Sequence, residues 1–396
     1  MNIGIFSECY LPTLNGVVVS IETFREELEK RGHKIYVFTP KTKGFKDKDP
    51  DHVFRFPSFT WPGEENYPIA LPTAAAKVIK KAKELKLDII HSQHLFTMGR
   101  LGMRVAHELN IPMVYTYHTL IAEYTHYVPI FNLAAKQILK NISRDFCNDC
   151  DQVITPSPSM ARILKTYGVT KPIEAIPTGI HIEEMEHHFP DKVIRAKWDI
   201  PENRKILLYL SRIAKEKNID FLFKAFKKIL ANRLKKHRLA DVHLLMVGGG
   251  PELNFYEDLA KKMGINDYVS FTDMMQKKNA NKFYGAADLF VFPSITETQG
   301  IVVTEAMAAG IPVVAVNKMG PSDLVRNGHD GYLTDLNIND FAGKIESLLD
   351  NPEKRKEMGK NAKESAKEFS SLSCAIKLEK LYEKNIEKLK NSHSSK

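Results

Sequence analysis

The sequence is poor in cysteine: Cys9, Cys147, Cys150 and Cys374 are the only four in 396 residues. A secreted scaffold held by disulfides needs a denser framework, so the chain reads as a reduced, cytoplasmic protein. Cys147 and Cys150 have the spacing of half a zinc site, but no second pair follows, and the plainer reading is two ordinary cysteines at a helix end. Long apolar runs are missing too. No stretch reaches the roughly 18 apolar residues of a membrane-spanning helix. The opening "MNIGIFSECYLP" goes straight into a strand pattern, without the layout of a signal peptide. A dinucleotide fingerprint is absent: Gly248, Gly249 and Gly250 in "VGGGPE" run into Pro251 and do not form G-x-G-x-x-G. No Asp-x-Asp pair is poised directly after a predicted strand, where it would hold a metal ion.

What the chain does have is globular: 43% hydrophobic and 27% charged residues, in a length that calls for two domains or more. Its net charge of +9 favours anionic partners, whether nucleic acid, an acidic lipid surface or a phosphorylated substrate. Nucleic acid is disfavoured, because the cations are scattered and neither a helix-turn-helix nor a base-stacking motif is present.

Short apolar runs alternate with helical patterns. "NIGIFS", "HKIYVFTP", "DIIHSQ", "PMVYTYH", "DQVITPS" and "IEAIPTG" read as strands, with segments of helical spacing such as "VSIETFREELEKRG" between most of them. The rhythm breaks near Pro177 and Gly179. It resumes with "KILLYLS", "VHLLMVGGG", "YVSFTD", "DLFVFPS", "PVVAVN" and "GYLT". Strands separated by helices imply parallel sheets covered on both faces. The expected architecture is therefore α/β, with two Rossmann-like domains facing across a cleft. Residues 1–180 form the first, 190–368 the second, and a helical tail, 369–396, returns to the first.

Ligands of such sheets bind beyond the carboxyl ends of the strands, so the residues that follow strands are the candidates. In the second half these are Arg212 and Lys217, whose planar fork and mobile point charge together suit a diphosphate, although two exposed loop cations would look the same. The stretch "PSITETQGIVVTEAMAAGIPVV" follows the strand "DLFVFPS". A helix is expected to start near Gln299 or Gly300 and to stop at Gly310, its start attracting anions. Ile301, Val302, Val303, Ala306 and Met307 leave it almost no polar face, so it should be buried. Glu305 then needs a partner, which a lysine, a backbone donor or the hydroxyl pair of a ribose would supply. Glu297 lies in the turn before the helix, free to face the open cleft. In the first half, Asn15 and Gly16 follow the first strand, either admitting a phosphate to a helix start or simply capping it. His118, in "YTYHT", stands at another strand end.

Taken together, "P-x-x-N-G-V", "YTYHT", "IPTGI", "SRIAKEKN", "VGGGPE" and the pair Glu297 and Glu305, eight positions apart, resemble the retaining glycosyltransferases of the two-Rossmann-domain (GT-B) type, specifically family four (group 1). Within that family, "IGIFSECYLPTLNGVVVSIE", "EYTHYV" and "TETQG" look most similar to bacterial diacylglycerol glucosyltransferases. The resemblance implies a nucleoside-diphosphate sugar donor, UDP-glucose, held by the stretch from Glu297 through Thr298, Gln299, Gly300 and Ile301 to Glu305. It implies that Glu297 meets sugar hydroxyls and that Glu305 meets the ribose. Arg212, Lys217 and the loop of Asn15 and Gly16 would hold the diphosphate, with His118 near the transferred sugar. It implies retention of anomeric configuration, no metal or other cofactor, and a lipid acceptor such as 1,2-diacylglycerol at the inner face of the cell membrane. Another sugar, such as mannose from GDP-mannose, and phosphatidylinositol or a soluble acceptor form the alternative.

A lipid acceptor requires contact with an anionic bilayer. Leu71 to Asp88 mixes Lys77, Lys80, Lys81 and Lys83 with Val78 and Ile79, and the segment around Phe131, Leu133, Lys136 and Ile138 does likewise. Both also fit ordinary surface helices. Trp61 is a candidate lipid anchor. The basic run "KKILANRLKKHRL" reads as a solvated helix end.

Overall fold

A computed structural model describes residues 1–59, 68–70, 75–121, 132–186, 188–237, 240–272 and 277–394. The chain divides into two compact units: Met1–Gly179 with Ser371–Lys396, and Ile180–Ser370.

The first unit carries a seven-stranded sheet in the spatial order Val53–Phe56, Lys34–Pro40, Asn2–Phe6, Ile89–Ser92, Met113–Thr116, Gln152–Thr155, Ile173–Ala175. Every neighbouring pair is parallel, with Ile3 beside Ile35 on one side and Ile89 on the other. The central strands are apolar at successive positions because both faces are covered. Helix Gly16–Lys30 covers one face and buries Val18, Ile21 and Leu28. The Asn15 side chain caps it, accepting from the Val18 backbone N–H at 3.0 Å. The edge strand Val53–Phe56 is one that the sequence reading does not include.

The helix Ser371–Ser394 is part of this unit and packs on Gly16–Lys30. Leu378, Leu381 and Tyr382 enter the same core as Ile3, Ile5 and Val114. Polar contacts fix its register. Tyr382 Oη lies 2.5 Å from His91 Nδ1, and Asn385 Nδ2 donates to Gln152 Oε1 at 3.0 Å. Arg31 Nε donates to Glu379 Oε2 at 2.7 Å, and His33 Nε2 is 2.6 Å from Oε1.

The second unit carries a six-stranded sheet, Val269–Phe271, Val242–Val247, Lys205–Leu210, Leu289–Phe292, Val313–Val316, Gly331–Thr334, again all parallel. Its side chains alternate between two cores. Leu207, Tyr209 and Leu244 meet Phe226 of helix Ile219–His237 and Phe341 of helix Ile338–Leu349. Leu208, Phe290 and Val313 meet Val303 and Met307 of helix Ile301–Ala308 and Ala362 of helix Pro352–Ala366. Where this unit begins and ends, Ile180 and Ser370 form a parallel bridge. These two Rossmann-like parallel-sheet units are the α/β architecture expected from the strand and helix pattern.

Each sheet has one place where the chain's winding reverses. In the first it falls between Asn2–Phe6 and Ile89–Ser92, and in the second between Lys205–Leu210 and Leu289–Phe292. A crevice opens at such switch points, beyond the carboxyl ends of the strands.

Candidate active site

In the second unit the two chain segments leaving the switch point are stitched together. Asn218 Nδ2 donates to the Pro293 carbonyl at 3.0 Å, and the Thr296 hydroxyl donates to the Glu216 carbonyl at 3.3 Å. The glycines of "VGGGPE" support this from the neighbouring strand. Gly248 has φ +129, and a Cβ there would sit 2.2 Å from the Ser211 carbonyl oxygen; one on Gly250 would sit 2.1 Å from that of Ile213. Only glycine lets the two backbones approach so closely on either side of Arg212.

Lys217 Nζ donates to Glu297 Oε1 in an ion pair whose side chains are 16% and 19% exposed. The turn brings the Glu297 carboxylate onto Lys217, which supplies the counter-charge that a largely covered carboxylate needs. Arg212 pairs with Glu216 instead. Thr298 is half-buried and Gln299 is buried. Gly300, with φ +86, makes the left-handed step from which helix Ile301–Ala308 starts. The helix is buried as expected from its all-round apolar surface, and it ends where Gly310 takes φ +75. On it, Glu305 is 2% exposed. Its Oε2 accepts a hydrogen bond from the Tyr284 hydroxyl at 2.9 Å, and the same hydroxyl lies 3.2 Å from the Val302 carbonyl oxygen. Burial and the adjacent Glu305 charge both push the Tyr284 hydroxyl well above its ordinary range, so it stays protonated as a donor. Arg212, Lys217 and the turn from Glu297 to Ile301 thus follow the two switch-point strands, and Glu305 lies on the helix that the turn leads into.

In the first unit, Asn15 and Gly16 follow Asn2–Phe6, and His118 follows Met113–Thr116. Asn15 acts as a helix cap; its Nδ2 also donates to Cys9 Sγ at 3.3 Å. A Cβ on Gly16 would meet nothing within 4 Å, so no neighbour in the chain explains this glycine by crowding. His118 Nε2 is 2.7 Å from Gln93 Oε1. Burial, helped by His94 and His91, pushes His118 down to about 3, so its imidazole is neutral.

Other polar residues lie at this switch point that the sequence reading does not single out. His94 Nδ1 accepts from the Glu8 backbone N–H at 3.1 Å and lies 3.3 Å from Ser7 Oγ. Burial pushes His94 down to about 4. Glu8 accepts from the Met98 N–H at 2.6 Å and the Thr97 hydroxyl at 2.8 Å, at the start of helix Thr97–Leu109. Burial, outweighing these bonds, holds its carboxyl above the ordinary range. The signal for them was available: Ser7 and Glu8 follow the strand "NIGIF" directly, and Gln93 and His94 follow "IIHS".

Among the described residues no helix is long and apolar enough to cross a membrane. Helix Ala75–Glu84 turns Val78 and Ala82 inward and leaves Lys77, Lys80 and Lys83 exposed. Beside it lies a hollow of about 650 Å³ whose lining includes Ile79, Lys80, Lys83, Glu84 and Arg104. Ile138, on helix Asn132–Asp149, is exposed. Trp61, Phe131 and the side chain of Leu133 lie outside the described residues. In the basic run of the second unit, Arg233 is not solvated: it is buried and paired with both Asp241 and Asp350. All four cysteines are buried free thiols.

Two Rossmann-like parallel sheets, each with a polar switch-point edge, are the architecture of the GT-B class. A solved structure of this class, the Anabaena protein HepE in complex with UDP, superimposes with a TM-score of 0.78 over 97% of this chain and 100% of its own, at 18% identity. The family model "Glycosyltransferase Family 4" matches residues 14–184, and "Glycosyl transferases group 1" matches residues 190–365. An alpha-monoglucosyldiacylglycerol synthase of Streptococcus pneumoniae is 36% identical over 89% of this chain and 79% of its own length. Another, from Acholeplasma laidlawii, is 30% identical over 98% of this chain and 99% of its own. The chain belongs to the family 4, group 1 glycosyltransferases.

Proposed function

We propose that the chain moves glucose from UDP-glucose to 1,2-diacylglycerol, with retention of anomeric configuration and without a metal ion, at an anionic membrane surface. The observation that carries the donor side is the gathering of Arg212, Lys217 and Glu297 at one switch point, ahead of the buried helix Ile301–Ala308. The acceptor rests on the relationship to the two diacylglycerol-directed synthases.

When the glycosidic bond to the diphosphate breaks, positive charge develops on the sugar ring and negative charge on the leaving phosphate. Arg212, Lys217 and the start of the helix stabilise that leaving charge, in the role that a metal ion fills elsewhere. Glu297 orients sugar hydroxyls. Glu305, one oxygen of which is already steadied by Tyr284, accepts from the ribose. His118 is a neutral imidazole whose Nε2 is engaged by Gln93, which leaves Nδ1 to serve the transferred sugar. The exposed lysines of Ala75–Glu84 meet the anionic surface, each contributing about 1 kcal/mol.

The test is direct. Purified chain is mixed with vesicles of phosphatidylglycerol and 1,2-diacylglycerol, labelled UDP-glucose or GDP-mannose, and EDTA in half of the samples. A labelled glucolipid of α configuration, made from UDP-glucose alone and insensitive to EDTA, is expected. Product made only from GDP-mannose, or only on a soluble acceptor, overturns the substrate assignment. A β product or loss of activity in EDTA overturns the mechanism.

A further inference from the structure

Each cation assigned to the diphosphate has a carboxylate partner within the second unit: Lys217 has Glu297, and Arg212 has Glu216. The charges of these four groups cancel. The two pairs nevertheless differ in construction. Lys217 and Glu297 are both largely covered, whereas Arg212 is 59% exposed and Glu216 only 8%. In the second pair the guanidinium is therefore the member free to swing and the carboxylate the member that is fixed. Glu216 sits in the single 3-10 turn Lys215–Lys217, whose backbone is tied to the opposite segment through Thr296. Burial pushes its carboxyl up, but its own backbone N–H and Arg212 outweigh that, and it remains ionised.

A diphosphate can reach the remaining N–H donors of Arg212 where it stands, but gains the full, uncompensated charge of the guanidinium only by drawing it off Glu216. When the product nucleotide leaves, Glu216 is in place to take Arg212 back. Building on the donor reading above, we infer that Glu216 is a release residue, an internal carboxylate that competes with the nucleoside diphosphate for Arg212. It acts through Arg212 and touches no reacting atom, so it is a positioning residue. The competition lowers affinity for donor and product alike. Its use lies in turnover, because product departure sets the rate of many enzymes.

The test compares the full chain with Glu216→Gln, an isosteric change that keeps the side chain's reach and removes its charge. Calorimetric titration with UDP and with GDP, together with steady-state kinetics, reads both affinity and turnover. Glu216→Gln should bind the preferred diphosphate about twofold to fivefold more tightly, the range that one partly exposed ion pair commands, and its kcat should fall. A purely structural role predicts weaker binding. Glu216→Asp, which keeps the charge but draws it back from Arg212, should shift affinity in the same direction by less, and it carries the test if the glutamine variant does not fold. Equal or weaker binding by a folded variant, with the parent binding normally, overturns the inference and leaves the donor reading standing. Failure of the parent itself to bind either diphosphate overturns both.

Discussion

Removing one hydroxyl tests the buried end of the candidate donor site. Tyr284 is fully buried, and its hydroxyl serves both the Glu305 carboxylate and the Val302 carbonyl. Tyr284→Phe keeps the ring, which packs against Phe290 at 5.9 Å, so almost no cavity forms. The loss falls on Glu305, 2% exposed and left with one donor fewer. A hydrogen bond to a charged, buried acceptor is worth about 1.5–3 kcal/mol, because the acceptor's desolvation is not recovered. Taking about 2 kcal/mol, and about 2–4 °C per kcal/mol for a unit of this size, the melting transition of the second unit should fall by about 4–8 °C. Differential scanning calorimetry of the full chain reads this directly, and urea unfolding should show a lower midpoint at unchanged slope. A melting temperature within about 1 °C of the parent would refute the reasoning: Glu305 would then be satisfied without Tyr284, and its burial would need another explanation.

Three further outcomes follow from contacts already described. Ending the chain before Ser371 removes Leu378, Leu381 and Tyr382 from the first core, together roughly 6 kcal/mol of apolar burial. That rivals the whole stability of an ordinary domain, so the first unit should lose its cooperative melt by circular dichroism. Gly250→Ala places a methyl 2.1 Å from the Ile213 carbonyl oxygen. This should displace the Arg212 loop and raise the donor KM on the order of tenfold or more, which a donor titration measures. Burial pushes Glu379 up, but the bonds from His33 and Arg31 outweigh it and hold its carboxyl below the ordinary value of 4.5. The unfolded chain therefore takes up this proton first as pH falls. The stabilisation is complete above the ordinary value and is lost as pH drops through the lower folded one. Glu379→Gln should melt earlier than the parent at neutral pH and together with it in strong acid; a gap that survives in acid would remove the ion cluster as its cause.

The sheets were legible because parallel strands covered on both faces are continuous apolar runs, and the runs "KILLYL", "VHLLMV" and "LFVF" became strands of one sheet. Val53–Phe56 was missed because it is a short edge strand in which an arginine interrupts the apolar run and a proline follows. The burial of helix Ile301–Ala308 was legible from its lack of a polar face. The partner of Glu305 was not. Tyr284 lies 21 residues upstream on a different element, and no periodicity links the two. The pairing of Arg212 with Glu216 was hidden for another reason. A spacing of four residues brings side chains together on a helix, yet here only the three residues Lys215–Lys217 are helical, as a 3-10 turn. The pair of Glu297 with Lys217 was hidden likewise, because Lys217 comes from the loop after a neighbouring strand and nothing in the turn itself is positive.

The pairing of Ile180 with Ser370 makes the second unit a self-contained insertion between two stretches of the first. The insertion needs no residue after Ser370, whereas the first sheet has no closed core until the helix Ser371–Ser394 joins it. The unit with which the chain opens is thus the last to have all its residues. A stop between Ser371 and Leu378 leaves a finished second unit attached to an open hydrophobic sheet, a natural target for chaperones and proteases.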